Sequence, residues 1–453
     1  MKPGRFYLII FGVFIGLVLM VFLLWLLAPI VFSWSISSPI SISGAIGSYG
    51  PVQIRFPVKM DPLSVESRFT TIPETSGRFK WVKNDLFFFP DMPFDTGRNL
   101  RIELVGVLRT LNGIELKVNR QWIVKVRENR IIYLANPNSA PEIYISSKDG
   151  FEKIPLTSTG GAVKSFTVSL EGTQVIYSVK NKEGGADLWL LNIHDRTSKL
   201  TLACGIDQCT DPEWSNLSSL LVYHRWRAKS VQPLTYNPPQ LWILDLKTGE
   251  TEELFPAESV NPRQTSWSPS GDMLAVSDLR NQGIRLLDFS TKREYFIQAR
   301  EGWIGNWTTD GKYLFFSRNG STESTPGSSV ARIQIESKEV SLVVDGENEQ
   351  VEFGVPAVIP DGKWIAIGSR LPGRGSAKQI WLYGQNGEKQ MEVTSDPVYT
   401  YANIHWDSGG KYIVAQRFHL GSSRNTPQII VWNREENSFT IIADDGAMPK
   451  WIP

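Results

Sequence analysis

Cysteine and histidine are scarce in this chain, with two of the first and four of the second in 453 residues. A small secreted scaffold held together by several bridges is thereby excluded. The histidines (His194, His224, His405 and His419) stand in separate stretches, without metal-ligand spacing such as His-Glu-x-x-His, and no Gly-rich phosphate loop opens a helix. The pattern therefore points to no cofactor, no metal site and no catalytic constellation, and the chain alone is not expected to be an enzyme. Surplus charge is also missing. Lys+Arg of 47 against Asp+Glu of 46 leaves no field to draw in nucleic acid. Helical periodicity is absent beyond the first 34 residues. In its place 37 Gly, 27 Pro and 16 Trp point to an all-β chain with tight turns. At this length two or more domains are expected.

One stretch lacks charge altogether, from Phe6 to Trp34. Its apolar part, Phe6–Phe32, has 27 residues and as a helix would span about 40 Å, more than the ~30 Å hydrocarbon layer. A cleavable signal has a shorter apolar core and a small-x-small site. The run therefore reads as an uncleaved transmembrane signal-anchor over 6–32, with a removable long signal peptide as the alternative. Lys2 and Arg5 precede it, and no charge follows until Arg55. The positive-inside rule then leaves residues 1–5 in the cytoplasm and the rest outside the cell membrane, as a single-pass protein. Cys204 and Cys209 in "ACGIDQC" are near enough to close a small loop, which an oxidising exterior permits; free thiols are the other reading.

After a linker over 33–37, residues 38–127 carry short alternating segments. "VQIRF", "DLFFFP", "NLRIELVGV" and "QWIVKVR" are separated by turn residues and predict a small β-sandwich. The stretches "IRFPVKMDPLSV", "FFFPDMPFDTGRNLRIEL" and "LNGIEL" resemble the bacterial Ig-like domain of S-layer-type surface proteins. That resemblance implies a spacer or adhesion module without chemistry of its own.

Beyond residue 130 the chain repeats. "SFTVSLEGTQVIYS", "DPEWSNLSSLLVYH", "QTSWSPSGDMLAVS", "IGNWTTDGKYLFFS", "GVPAVIPDGKWIAIGS" and "ANIHWDSGGKYIVAQ" each read as a strand, a turn and a second strand. A third strand such as "QLWILDL" and a more polar fourth follow, at spacings of about 40–53 residues. This makes six full propeller blades. "RIIYLA", "PEIYISS" and "FEKIPLT" supply three further strands without a first, and "AMPKWIP" supplies a first strand without the rest. Pro449 and Trp451 match the Pro212–Trp214 pairing inside the chain, so the C-terminal strand is expected to close a seven-bladed β-propeller over 130–453. The motif "WSPSG…LAVS" with "QLWILDLKTGE" resembles the TolB-like, WD40-like Asp-repeat propellers, with Phe166 and Val358 standing where the family has Trp. The resemblance favours protein partners; six blades are usual in the TolB type.

The A–B turns are short, whereas the B–C loops are long and varied, so binding is expected on the B–C face. The loop "HRWRAKSVQPLTYNPP" holds Arg225, Trp226, Arg227 and Tyr236, residue types enriched at binding hot spots, and is a candidate partner-binding loop; packing over the neighbouring blade is its other reading. Propellers with such repeats often precede an α/β-hydrolase domain, but no Gly-x-Ser-x-Gly elbow occurs here. The sequence thus points to a membrane-anchored envelope scaffold that binds a protein. The alternatives are a glycan or small ligand bound by the propeller, and a non-catalytic propeller partner of a separate peptidase.

Overall fold

A computed structural model describes residues 35–36, 45–48, 51–169, 172–215, 219–256, 259–300, 303–320, 327–421 and 426–452. The Phe6–Phe32 run lies outside them, and among the described residues no helix is long and apolar enough to cross a membrane.

Among the described residues eight strands and one short helix precede the repeats: β1 (Ser35–Ile36), β2 (Ala45–Ile46), β3 (Val52–Arg55), α1 (Pro62–Glu66), β4 (Phe69–Ile72), β5 (Gly77–Val82), β6 (Asp85–Pro90), β7 (Asn99–Arg109) and β8 (Glu115–Val126). They form two four-stranded sheets, β1-β3-β6-β5 and β2-β8-β7-β4. Alternate residues of both sheets meet in one core, with Ile54, Leu86, Leu100, Ile102 and Leu104 essentially inaccessible. This is a β-sandwich, as the alternating pattern predicts. Two details depart from the sequence reading. Ser35 and Ile36, assigned to a linker, pair with Arg55 and Ile54. Residues 62–66 form a helix where none was expected; Pro62 enters it at the first turn, where its missing N–H is harmless.

Apart from a two-stranded hairpin over Ala228–Val231 and Leu234–Tyr236, the remaining described strands form seven antiparallel four-stranded blades. Their innermost strands are, in chain order, Val163–Val168, Gln208–Trp214, Pro262–Trp267, Trp303–Trp307, the broken pair Glu352–Phe353 and Ala357–Val358, Tyr399–Trp406, and Gly446–Ile452. The last of these pairs with Arg130–Ala135, so one blade is built from both ends of the repeat region. Seven separate apolar clusters fill the seven junctions between neighbouring blades. One of them joins Ile131, Tyr133 and Ala135 to Val414, Ile429 and Val431 across the closure. The ring is continuous.

The repeat motif explains itself locally. In the A–B turns Gly172, Gly271, Gly311, Gly362 and Gly410 have φ between 64° and 75°, a region that side chains with a Cβ disfavour. Each glycine N–H donates to the carbonyl three residues back, at 2.8–3.1 Å. The tryptophan before each turn also has a repeated task. Trp267, Trp307, Trp406 and Trp451 donate their indole N–H to the carbonyls of Glu213, Ser266, Ala357 and His405, each on the preceding blade. Trp451 thus makes the same bond as the internal repeats. Counting back four residues from the turn glycine puts Val168, rather than Phe166, in the tryptophan position of the first full repeat. The absence of that tryptophan had displaced the alignment by two residues.

Candidate functional site

The sandwich is seated on the A–B turns. Arg78 donates to the carbonyls of Thr309 and of Asp310 (2.7 Å for the latter), and Lys80 donates to the carbonyl of Ser270 at 2.7 Å. Lys80 also lies 3.4 Å from Asp272. Ser48 bonds Ser408, and Asn129 donates to Asp407 Oδ2 at 3.1 Å and Ser408 Oγ at 2.9 Å. Burial raises the Asp407 carboxyl above the ordinary range, against the pull of the backbone N–H groups of Tyr412, Lys411 and Gly409. Three blades are therefore gripped through their turns.

Under this seat lies a cavity of about 460 Å³ on the propeller axis, bounded by Phe89 and Pro90 of the sandwich and by the innermost strands. The residue just before each tryptophan position faces it in six blades: Thr167, Glu213, Ser266, Asn306, His405 and Lys450. Glu213 and Lys450 come within 3.9 Å and keep 31% and 35% of their side-chain surface accessible, consistent with an internal space that admits water. Burial raises the Glu213 carboxyl, with Lys450 and Thr167 opposing. Burial, then the Lys450 charge, lowers His405 to about 4. At neutral pH the imidazole is uncharged. The cavity thus offers the Glu213 and Asp407 carboxyls, the Lys450 ammonium and a ring of neutral donors and acceptors, suited to holding a small polar molecule. The sequence reading offers a glycan or small ligand on the propeller only as an alternative and names none of these residues, although one signal is available: the position before the repeated tryptophan is polar in nearly every blade.

The opposite face carries the B–C loops. In the candidate partner-binding loop, Ala228–Val231 and Leu234–Tyr236 form a hairpin that the sequence reading missed. The four singled-out residues are brought together, but into the loop's own frame. Arg225 pairs with Asp207 at 2.9 Å and stacks 5.0 Å from the Trp242 ring centre. Arg227 lies over the other part of that ring at 5.2 Å and 3.7 Å from Glu253. Trp226 donates to Thr210 Oγ1 at 3.2 Å, and the Tyr236 hydroxyl donates to the carbonyl of Gly184 at 3.0 Å. Each polar end thus has a partner within the protein, and for Tyr236 that partner, Gly184, stands on the neighbouring blade. What projects from the hairpin is Val231, 64% exposed.

Asp207 sits in the turn that Cys204 and Cys209 close; their sulfurs are bonded, with Cα atoms 6.3 Å apart, at the junction of two blades. Charge on this face is cancelled in pairs between B–C and D–A segments, as in Arg225–Asp207, Arg318–Glu347 and Arg370–Glu352. Among the described residues no cluster of His, Cys, Asp and Glu could hold a metal ion.

No family model matches the chain, and no curated protein matches it. Solved structures do. TolB from Acinetobacter baumannii is 12% identical, over 85% of this chain and 83% of that one, with a TM-score of 0.44. The propeller domain of Myceliophteria thermophila Cps50 (Swd1) is 10% identical, over 67% and 96%, with a TM-score of 0.47. A prolyl endopeptidase is 11% identical over 80% of this chain, which spans 50% of that protein, with a TM-score of 0.53. The likeness is one of fold, and the chain's structural neighbours are TolB-like and WD40-type β-propellers.

Proposed function

We propose that this chain is a membrane-anchored scaffold of the cell envelope, with Phe6–Phe32 as its anchor, the sandwich as an Ig-like spacer, and the propeller as a non-catalytic platform for a protein partner outside the cytoplasm. The observation that carries this reading is the seating of the sandwich on the compact A–B face. That face is occupied by the chain itself, so the long-loop face is the one presented to others. The Cys204–Cys209 bond supports an oxidising compartment. Since Arg225, Trp226 and Tyr236 of the 224–239 loop are engaged by Asp207, Thr210 and Gly184, the contact surface is the loop rim, including Val231 and Pro372, both exposed.

A photo-crosslinking residue at Val231 or Pro372 of the intact protein, in cells, tests this. One dominant envelope protein trapped from both positions, and not from Ile123 on the sandwich, supports the scaffold. No capture from the rim, or equal capture from Ile123, counts against it. The axial cavity favours a second reading, a small polar ligand or glycan unit held beside Glu213 and Lys450. Native mass spectrometry of the purified protein would then find a bound mass that Lys450→Met loses.

A further inference from the structure

The sandwich has two ends, and only one of them meets the propeller. β8 runs from Glu115 at the far end to Val126 at the propeller end. At the far end the β7–β8 turn is tied to the segment around α1. Leu111 N–H donates to the Lys59 carbonyl at 3.1 Å, Asp61 N–H donates to the Arg109 carbonyl at 2.9 Å, and Arg109 N–H donates to Ser64 Oγ at 2.9 Å. On this tied tip Leu63, Leu111 and Ile114 are 76%, 61% and 58% exposed. Scattered single apolar residues need no explanation, but three on one fastened end form a patch.

The chain's own path says what covers it. Ser35 pairs with Arg55 and Ile36 with Ile54, antiparallel, so the N-terminal end of β1 faces the side on which β3 continues to Lys59 and Met60. That is the tip. Phe32, the last residue of the uncharged apolar run, precedes Ser35 by three peptide links, which reach about 11 Å at most. Lys59 follows Arg55 by four residues with bends at Pro57 and Val58, which places it closer than the ~13 Å of a fully extended chain. Tip and connection are therefore of comparable reach, and the headgroup layer is about 5–8 Å deep. Its surroundings suit an anionic surface. Lys59, Arg68 and Lys117 are exposed, whereas of the acids here Asp61 is half-buried, Glu115 is paired with Arg109 at 2.9 Å and Glu66 accepts the Trp81 indole N–H at 2.8 Å.

Resting on the anchor reading above, we propose that this tip docks into the headgroup layer of an anionic bilayer, with Leu63, Leu111 and Ile114 inserted, so that the propeller's loop-rich face points away from the membrane. The full-length protein is reconstituted in phosphatidylcholine–phosphatidylglycerol vesicles with a nitroxide on Leu111→Cys and, separately, on Ile114→Cys; Val231→Cys on the loop face is the reference. The native cysteines are bonded to each other and leave each label unique. The oxygen-to-nickel-chelate accessibility ratio is expected to be at least fivefold higher at 111 and 114 than at 231. Ratios at 111 and 114 within twofold of that at 231 overturn the tip contact. Alkaline carbonate extraction of the same vesicles reports separately on the anchor. Lipid-facing labels in protein that carbonate releases would keep the tip and discard the anchor; water-facing labels in resistant protein would do the reverse; water-facing labels in released protein would end both.

Discussion

Trp451 does at the end of the chain what Trp267, Trp307 and Trp406 do inside it, donating one hydrogen bond to the preceding blade. Trp451→Phe keeps an aromatic ring and removes the donor, so chemical denaturation of residues 35–453 should show a loss of about 1 kcal/mol. An unchanged midpoint would mean that packing alone holds the strand. His405 gives a pH signature. Its folded value, near 4, lies below the ordinary value of 6.5, so the unfolded chain binds its proton first. The stability tied to neutral His405 is whole above pH 6.5 and is lost as pH falls toward 4. Glu213 works in the opposite sense, because its raised value weakens the fold as pH rises through its titration. His405→Gln should flatten the acid-side fall in melting temperature between pH 6.5 and 4; an identical slope in the variant would show that His405 is not its source. The paired cysteines close a loop of sequence separation 5, and Cys204→Ala with Cys209→Ala should cost about 2 kcal/mol by the chain-entropy argument.

At the scale of elements, the innermost strand Gly446–Ile452 is the test of closure. Ending the chain at Ala447 removes Trp451 and its hydrogen bond, most of the pairing with Arg130–Ala135, and the seat of Ile452 in the neighbouring apolar cluster. A melting temperature lowered by at least about 10 °C, or loss of cooperative melting, is expected; a melt within a few degrees of the intact protein would refute closure by this strand. Much of this architecture is legible in the residues. The turn glycines, the tryptophans and the alternating third strands repeat, and repetition makes weak local signals strong. The misses have local causes. Residues 62–66 are too few to show helical periodicity, and the hairpin over 228–236 is hidden by Pro233 in a largely polar loop. Phe166 was aligned with tryptophan because valine at 168 leaves no aromatic marker.

For the whole molecule, the question is what fixes the sandwich on the propeller. Arg78 and Lys80 hold two turns, yet their side chains remain 44% and 32% exposed, so their pairing adds little to stability. Arg78→Glu with Lys80→Glu should leave the melting temperature nearly unchanged while loosening the two units. Small-angle scattering should then show a larger maximum dimension, and cleavage between Val126 and Arg130 should be faster. An unaltered scattering profile would mean that Ser48, Asn129 and the apolar contacts around Pro90 suffice. Separation would also open the axial cavity to solvent, which links this experiment to the ligand reading.

The amino-acid order by itself determined the strand-rich class, the repeat length, the closing role of the last strand and the apolar N-terminal run. Each is a matter of local periodicity or of matching one segment with another. Three outcomes needed the tertiary structure. Asp207, Glu253 and Gly184 occupy the polar ends of Arg225, Arg227 and Tyr236, and the strand pairing that brings them together spans as many as 52 residues. The six channel residues meet only because seven strands converge on one axis. Which propeller face the sandwich covers depends on how two separately folded cores dock, and that is set by surface complementarity, which no periodicity in the chain encodes.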